Sequence, residues 1–203
     1  RISYPMALSA VSFFLMQSVD IILLGKFEQF NTVAYYGVAV KLATTGTLAI
    51  LSVNVILAPK IAEFFELKRF DDLSKILKRG TRLMVLISLP VLGILAVFSP
   101  FVLGLFGNDY KIATEALRIL LLGQVINALC GTVGIYMNMT GKQRKLNVIL
   151  IIGLVINIVL NYIFIPKYGM VGAASATAIS MVIWKIIAVT YNYSKDRVIT
   201  FVR

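Results

Sequence analysis

The sequence has 203 residues, 59% of them hydrophobic, with a mean hydropathy of +0.89, a net charge of +11, one cysteine and no histidine. That apolar share exceeds the roughly 45–50% of ordinary soluble domains, and a soluble fold of this size has nowhere to hide the excess, so lipid is the expected solvent. The basic residues sit between apolar runs and not on an aromatic-studded face, which sets nucleic acid aside as a partner; the lone Cys130 excludes disulfides and CxxC metal sites, and the lack of histidine removes imidazole chemistry and most zinc sites.

Six membrane spans are expected, at about 5–25, 33–58, 83–105, 117–139, 146–165 and 171–193, each near the roughly 20 apolar residues that cross a hydrocarbon core. The chain opens on Arg1, not Met, and shows no signal-peptide cleavage pattern, so the sequence is expected to start within a longer protein. The first span carries Asp20 and the second Lys41. Their depths below the outer boundary, roughly 7 and 12 Å at 1.5 Å per residue, allow the two to pair across adjacent helices. Either they form a structural ion pair, or Lys41 offers a cation to an anionic substrate and Asp20 a site for a coupling proton or sodium ion. Lys41, Thr45 and Ser52 fall on one stripe of the second helix.

Between the second and third spans, residues 60–82 alternate Ile61, Phe64, Leu73 and Leu77 with Lys and Arg, the pattern of an amphipathic helix on the cytoplasmic leaflet. Pro5, Pro59 and Pro166 fall at span edges, whereas Pro90 lies inside the third span and predicts a kink there. The fourth span aligns Gln124, Asn127, Gly131, Gly134 and Asn138; the fifth aligns Asn147, Leu154, Asn157 and Asn161; the sixth aligns Ala174, Ala178, Lys185, Ala188 and Asn192. Such intramembrane polar residues either bond helix to helix or line a cavity. Lys185, about eight residues from the inner end of its span, is expected to snorkel to the interface.

Charge fixes the orientation. With Arg1 inside, fourteen Lys and Arg fall in cytoplasmic segments and four (Lys26, Lys111, Arg118, Lys167) in outer ones, the asymmetry of a membrane protein with both ends of this segment cytoplasmic. Enzymatic chemistry finds no foothold: the outer acids Glu28, Asp109 and Glu115 have no metal-ligand spacing, and no GxxxxGK[ST] phosphate loop is present. No catalytic residue, metal or cofactor is therefore expected.

The stretch MTGKQRKLNVILIIGLVINIVLNYIFIPKYGMVGAASATAIS from Met139 resembles the C-terminal half of polysaccharide-biosynthesis (Wzx-type) flippases of the MOP superfamily. The core of the likeness is Asn157, Asn161, Ile165 to Gly169 (IPKYG), Gly172-Ala173-Ala174 and Ala176-Thr177, and it extends to Val19-Asp20, Leu24-Gly25, Tyr36 to Leu42 (YGVAVKL), Ala58-Pro59 and Leu105 to Leu120. The resemblance implies an all-α membrane protein in which this chain is one six-helix lobe of a twelve- to fourteen-helix transporter. It would move lipid-linked oligosaccharide on undecaprenyl pyrophosphate across the cytoplasmic membrane, for polysaccharide, O-antigen or capsule export, by alternating access.

Its implied partners are a first six-helix lobe, the bilayer, a polysaccharide polymerase and glycosyltransferases. Lys41 and Lys185 become candidates to meet the pyrophosphate, with Asn157, Asn161 and Gln124 lining the cavity and Asp20 coupling an ion. The alternatives are a MATE-type multidrug antiporter, a lipid II flippase, or, from another class, a fragment of a membrane-embedded glycosyltransferase or ligase. An exporter of cations would favour acidic cavity residues, and the intramembrane tally of two Lys against one Asp leans towards an anionic substrate.

Overall fold

The computed structural model describes residues 3–196, and side chains from residue 11 onward except those of Phe13, Gln17 and Ala49. Arg1, Arg197 and Arg203 of the charge tally lie outside the described residues. The described chain is helical throughout: α1 (Ser3–Phe27), α2 (Phe30–Thr45), α3 (Thr47–Glu66), α4 (Phe70–Val97), α5 (Ser99–Gly104), a 3₁₀ turn (Asn108–Ala113), α6 (Thr114–Leu129), α7 (Val133–Met139) and α8 (Gln143–Asp196). By length and apolarity Phe70–Val97, Asn108–Leu129 and Gln143–Asp196 each suffice to cross a membrane, and the bent pair Phe30–Thr45 with Ile50–Glu66 is a fourth such run. Exposed apolar side chains such as Val55, Ile56, Leu86 and Val97 give the bundle a surface suited to lipid.

The 54 residues of α8 would stretch about 80 Å if straight, far beyond one bilayer core. They fold back on themselves at Gly169, whose φ of 52° and ψ of −130° are open to glycine and strained for any other residue. The two arms then run antiparallel: Asn157 faces Thr177 and Ser180, and Gly153 faces the Cβ of Trp184. Gly172 lets the start of the second arm press against the end of the first, since a Cβ there would stand 2.4 Å from the Phe164 carbonyl oxygen. At the far end, Asp196 accepts hydrogen bonds from the Tyr136 hydroxyl (2.6 Å) and the Lys142 amine, fastening the hairpin to α7 and the turn after it.

Several expectations are corrected here. Residues 60–82 do not form a separate surface helix. Lys60–Glu66 continue α3, and Phe70 onward is the start of α4. Their apolar faces pack on protein: Ile61, Leu73 and Leu77 are fully buried, and α4 keeps Leu73, Leu77, Gly80, Thr81, Met84, Ser88 and Leu92 on one inward face. The turn between them has a Schellman pattern, Arg69 N–H to Phe64 O (2.9 Å) and Lys68 N–H to Phe65 O (3.1 Å), with Lys68 in the left-handed region at φ 56°. Pro59 lies within α3, not at its edge, and α4 runs through Pro90, the interruption coming at Phe98 just before Pro100.

Two expected straight spans are broken. Gly46 separates α2 from α3, whose axes differ by 44°, and residues 130–132 separate α6 from α7. A Cβ at Gly46 would meet Leu92 at 2.5 Å, and the Gly46 carbonyl accepts a hydrogen bond from Ser88 of α4 (3.3 Å). At the second break Thr132 shares a buried hydrogen bond with Thr81 (3.0 Å), and the Cys130 carbonyl receives the Lys185 amine (3.4 Å).

Gly169→Ala and Gly172→Ala are each expected to cost about 1–3 kcal/mol, the first through backbone strain and the second through a backbone clash. Detergent-phase thermal unfolding of the intact protein measures this. Gly134→Ala, with open space at its Cβ position, should leave the midpoint unchanged.

Candidate functional site

Two apolar cores occupy the bundle. One gathers Met16, Ile50, Met84, Ala128 and Trp184; the other gathers Leu24, Ala43, Leu92, Leu121 and Ala173. Between them, on α1, α4, α6 and both arms of α8, stand the polar residues. Asp20 is one turn from Met16 and one from Leu24, Ser88 is one turn from Met84 and one from Leu92, and Gln124 lies between Leu121 and Ala128. Asn157, Thr177 and Ser180 occupy the same level of the α8 hairpin, and the break at Gly46 falls there too.

Asp20 is the centre of this layer. Its side chain is 1% exposed, and one carboxylate oxygen accepts the Tyr36 hydroxyl (2.7 Å) and the Thr177 hydroxyl (3.1 Å), while the other accepts the N–H of Ile21 (2.8 Å). The network continues inward from Thr177. Asn157 donates to Thr177 (3.4 Å) and Ser180 (3.0 Å), and Asn161 donates to the carbonyl (2.9 Å) and side-chain oxygen (3.1 Å) of Asn157. α1, α2 and the second arm of α8 thus meet on one buried carboxylate, and the first arm joins them through Asn157. Three donors on the carboxylate, with amides behind them, offset the cost of burying it.

Beside Asp20 is a cavity of about 20 Å³, enough for about one water, walled by Thr44, Gly123, Gln124 and Thr177 among others. Behind Gly123 and Ala178 runs a purely apolar furrow of about 270 Å³ between α6 and the second arm of α8, lined by Leu122, Ile126 and Val182. The two spaces share Gly123 and Ala178 as a thin wall, where a Cβ on Gly123 would lie 3.3 Å from Ala178 Cβ.

Among the sequence-derived candidates, Asp20 and Gln124 line this cavity. Asn157 reaches Asp20 through Thr177, and Asn161 reaches it through Asn157; both asparagines are fully buried, and Asn157 joins the two arms of the hairpin while Asn161 bonds back to Asn157 within the first arm. Lys41 does not pair with Asp20. It is exposed on α2, between the cavity residues Val40 and Thr44, because Tyr36 and not Lys41 turns inward to the carboxylate. The stripe Lys41–Thr45–Ser52 is interrupted by the Gly46 bend, and the hydroxyls of Thr45 and Ser52 bond to their own helices.

Lys185 does not snorkel. It is 4% exposed, with its amine 3.4 Å from the Cys130 carbonyl and 4.6 Å from the centre of the Trp184 ring. It meets the negative, carbonyl end of α6 exposed by the break, which favours a cation. Neither lysine is among the residues lining the Asp20 cavity, so the two-to-one tally of charges says nothing about that space. Tyr36 and Thr177 were missed as site residues. Both lay inside segments quoted for their family likeness, but nothing local marks a tyrosine or threonine as a carboxylate partner.

Removing one clasp hydroxyl is expected to cost about 1–3 kcal/mol, as for a buried hydrogen bond to a carboxylate. Tyr36→Phe and Thr177→Val each test this by thermal unfolding. Because both act on one oxygen, the double variant should depart from additivity by at least about 0.5 kcal/mol; strict additivity would mean that the two hydroxyls are independent.

Comparison with known proteins adds the following. The family described as MatE matches residues 5–163. A Haloferax volcanii protein named a probable low-salt glycan biosynthesis flippase is 22% identical over 184 residues, covering 90% of this chain and 39% of its own length. A Shigella flexneri protein bearing the name of an O-antigen transporter is 32% identical over 119 residues, 58% of this chain and 28% of its own. The outward-facing structure of a multidrug-resistance MATE transporter of the MOP superfamily superposes with a TM-score of 0.82 at 21% identity, over 99% of this chain and 46% of that one. This chain therefore spans less than half the length of the relatives it matches.

Proposed function

Because the chain belongs to the MatE family of the MOP superfamily, whose members are membrane transporters and flippases and not enzymes, we propose that it forms one lobe of an ion-coupled flippase for lipid-linked oligosaccharide. The observation that carries this reading is the Asp20 clasp. A carboxyl is buried at the seam of two apolar cores, with α1, α2 and α8 meeting on it, and ionisable groups at membrane depth commonly mark ion paths. Loading or releasing an ion at Asp20 changes which hydroxyls it can hold, and so biases how α1, α2 and the hairpin pack.

The substrate class rests on the names of the two sequence relatives and on Lys41. Lys41 is exposed on α2, next in sequence to Val40 of the cavity wall, and offers a point charge that a pyrophosphate oxygen could meet. We read six crossings: α1, α2 with α3, α4 with α5, α6 with α7, and the two arms of α8. Both ends of the segment are then cytoplasmic, on the charge asymmetry. The rest of the transporter would be a second lobe facing this one, with the cell membrane as its location.

A second reading is favoured by one observation: the charged residue lining the cavity is an acid, which suits an exporter of organic cations such as the multidrug transporter it superposes on. The two readings separate in cells that lack the natural copy. In the intact protein, Asp20→Asn and Lys41→Ala are each expected to reduce surface glycan at least about tenfold, a loss of about 1.4 kcal/mol of driving interaction, at unchanged protein level. Unchanged glycan in both variants, with altered efflux of an organic cation in Asp20→Asn, would reject the flippase in favour of the exporter.

A further inference from the structure

We propose that the helix ends of α3 and α4 form a binding site for the phosphate headgroup of an anionic phospholipid, separate from the Asp20 cavity. The site is a cleft of about 330 Å³ that presents Lys60, Arg69, Lys75 and Arg79. Two carboxylates, Glu63 and Asp72, share it. Asp72 is already engaged, 2.7 Å from the Arg69 guanidinium and 3.9 Å from the Lys75 amine, so it fixes those two cations in place while the cleft keeps an excess of positive charge. Phe64 and Ile76 floor the cleft, and the Arg69 guanidinium lies 5.1 Å from the centre of the Phe64 ring. The Schellman turn positions it, because the left-handed Lys68 reverses the chain and returns Arg69 over the residue whose carbonyl its N–H bonds.

A lipid, as against a free anion, is indicated by what lies one turn away on both helices. On α3, Ile56 (66% exposed) precedes Lys60 by four residues; on α4, Leu83 (46% exposed) follows Arg79 by four. The helices are antiparallel and in close contact here, with a Cβ at Gly80 reaching to 2.2 Å of Leu57. Both exposed faces therefore change from apolar to basic at one level and in one direction. That is the profile of a phospholipid standing in its leaflet, with acyl chains along Ile56 and Leu83 and phosphate between Lys60 and Arg79. Arginine suits a phosphate through paired N–H donors and lysine through charge, and juxtamembrane cations are drawn to anionic leaflets. The site rests on the membrane reading but not on the identity of the transported substrate.

The test uses the intact protein purified in a neutral detergent, titrated with dioctanoyl phosphatidylglycerol, dioctanoyl phosphatidylcholine or inorganic phosphate, with the unfolding midpoint as readout. Phosphatidylglycerol is expected to raise the midpoint saturably, and phosphatidylcholine and phosphate to have little effect. In Lys60→Gln/Arg79→Gln the half-saturating concentration should rise at least about tenfold, while Lys78→Gln/Lys145→Gln, which removes the same charge from positions outside the cleft, should behave as wild type. Equal weakening in both pairs would reduce the effect to diffuse charge and overturn the site. Saturation by inorganic phosphate at the same concentration would overturn the lipid assignment. Since the readout is binding, export or efflux failing in the Asp20 and Lys41 variants leaves this result independent.

Discussion

The constraint that organises this protein is that polar groups inside an apolar bundle must find their partners within the bundle. Much of it is met at one level. Two apolar cores are separated by a layer that holds Asp20, Ser88, Gln124, Asn157, Thr177 and Ser180, and the α2–α3 break falls in that layer. The break at Gly46 exposes a carbonyl that Ser88 satisfies, and the break after α6 exposes the Cys130 carbonyl that Lys185 meets. Breaks and polar side chains come as matched pairs, one from each of two neighbouring helices. The interrupted helices are therefore part of the packing and not defects in it.

The same logic explains why Asp20 sits where it does. A lone buried carboxylate would be too costly, but hydroxyls from α2 and from the second arm of α8, with asparagines behind them, supply its partners. The hairpin at Gly169 brings those partners into place, because only an antiparallel return puts Thr177 and Ser180 opposite Asn157. A chain reversal some distance along the sequence thus sets the chemistry at the centre.

How far the residues announced all this differs from element to element. The reversal at Gly169 lies between the two spans expected at 146–165 and 171–193, and the IPKYG segment that contains it carried only a family likeness. Pro90, expected to kink its helix, does not end it, whereas Gly46 does; the bend answers to Leu92 and Ser88 on another helix, which no window around Gly46 contains. The charged residues fared worst. Lys41 and Asp20 have matching depths but point to different sides, and Lys185 turns inward to a carbonyl created by a break that the apolar periodicity of 117–139 conceals.

By itself, then, the sequence determined the apolar solvent, the helical class and the family, since these depend on the summed apolarity and charge of many residues and survive local errors. The tertiary structure decided which polar side chains face one another. Asp20 with Tyr36 and Thr177 joins residues 16 and 157 positions apart, and hydrogen bonds reach only about 3 Å, so helix rotation and the two breaks settle the partners. Depth along a helix was legible from residue counting, and azimuth around it was not.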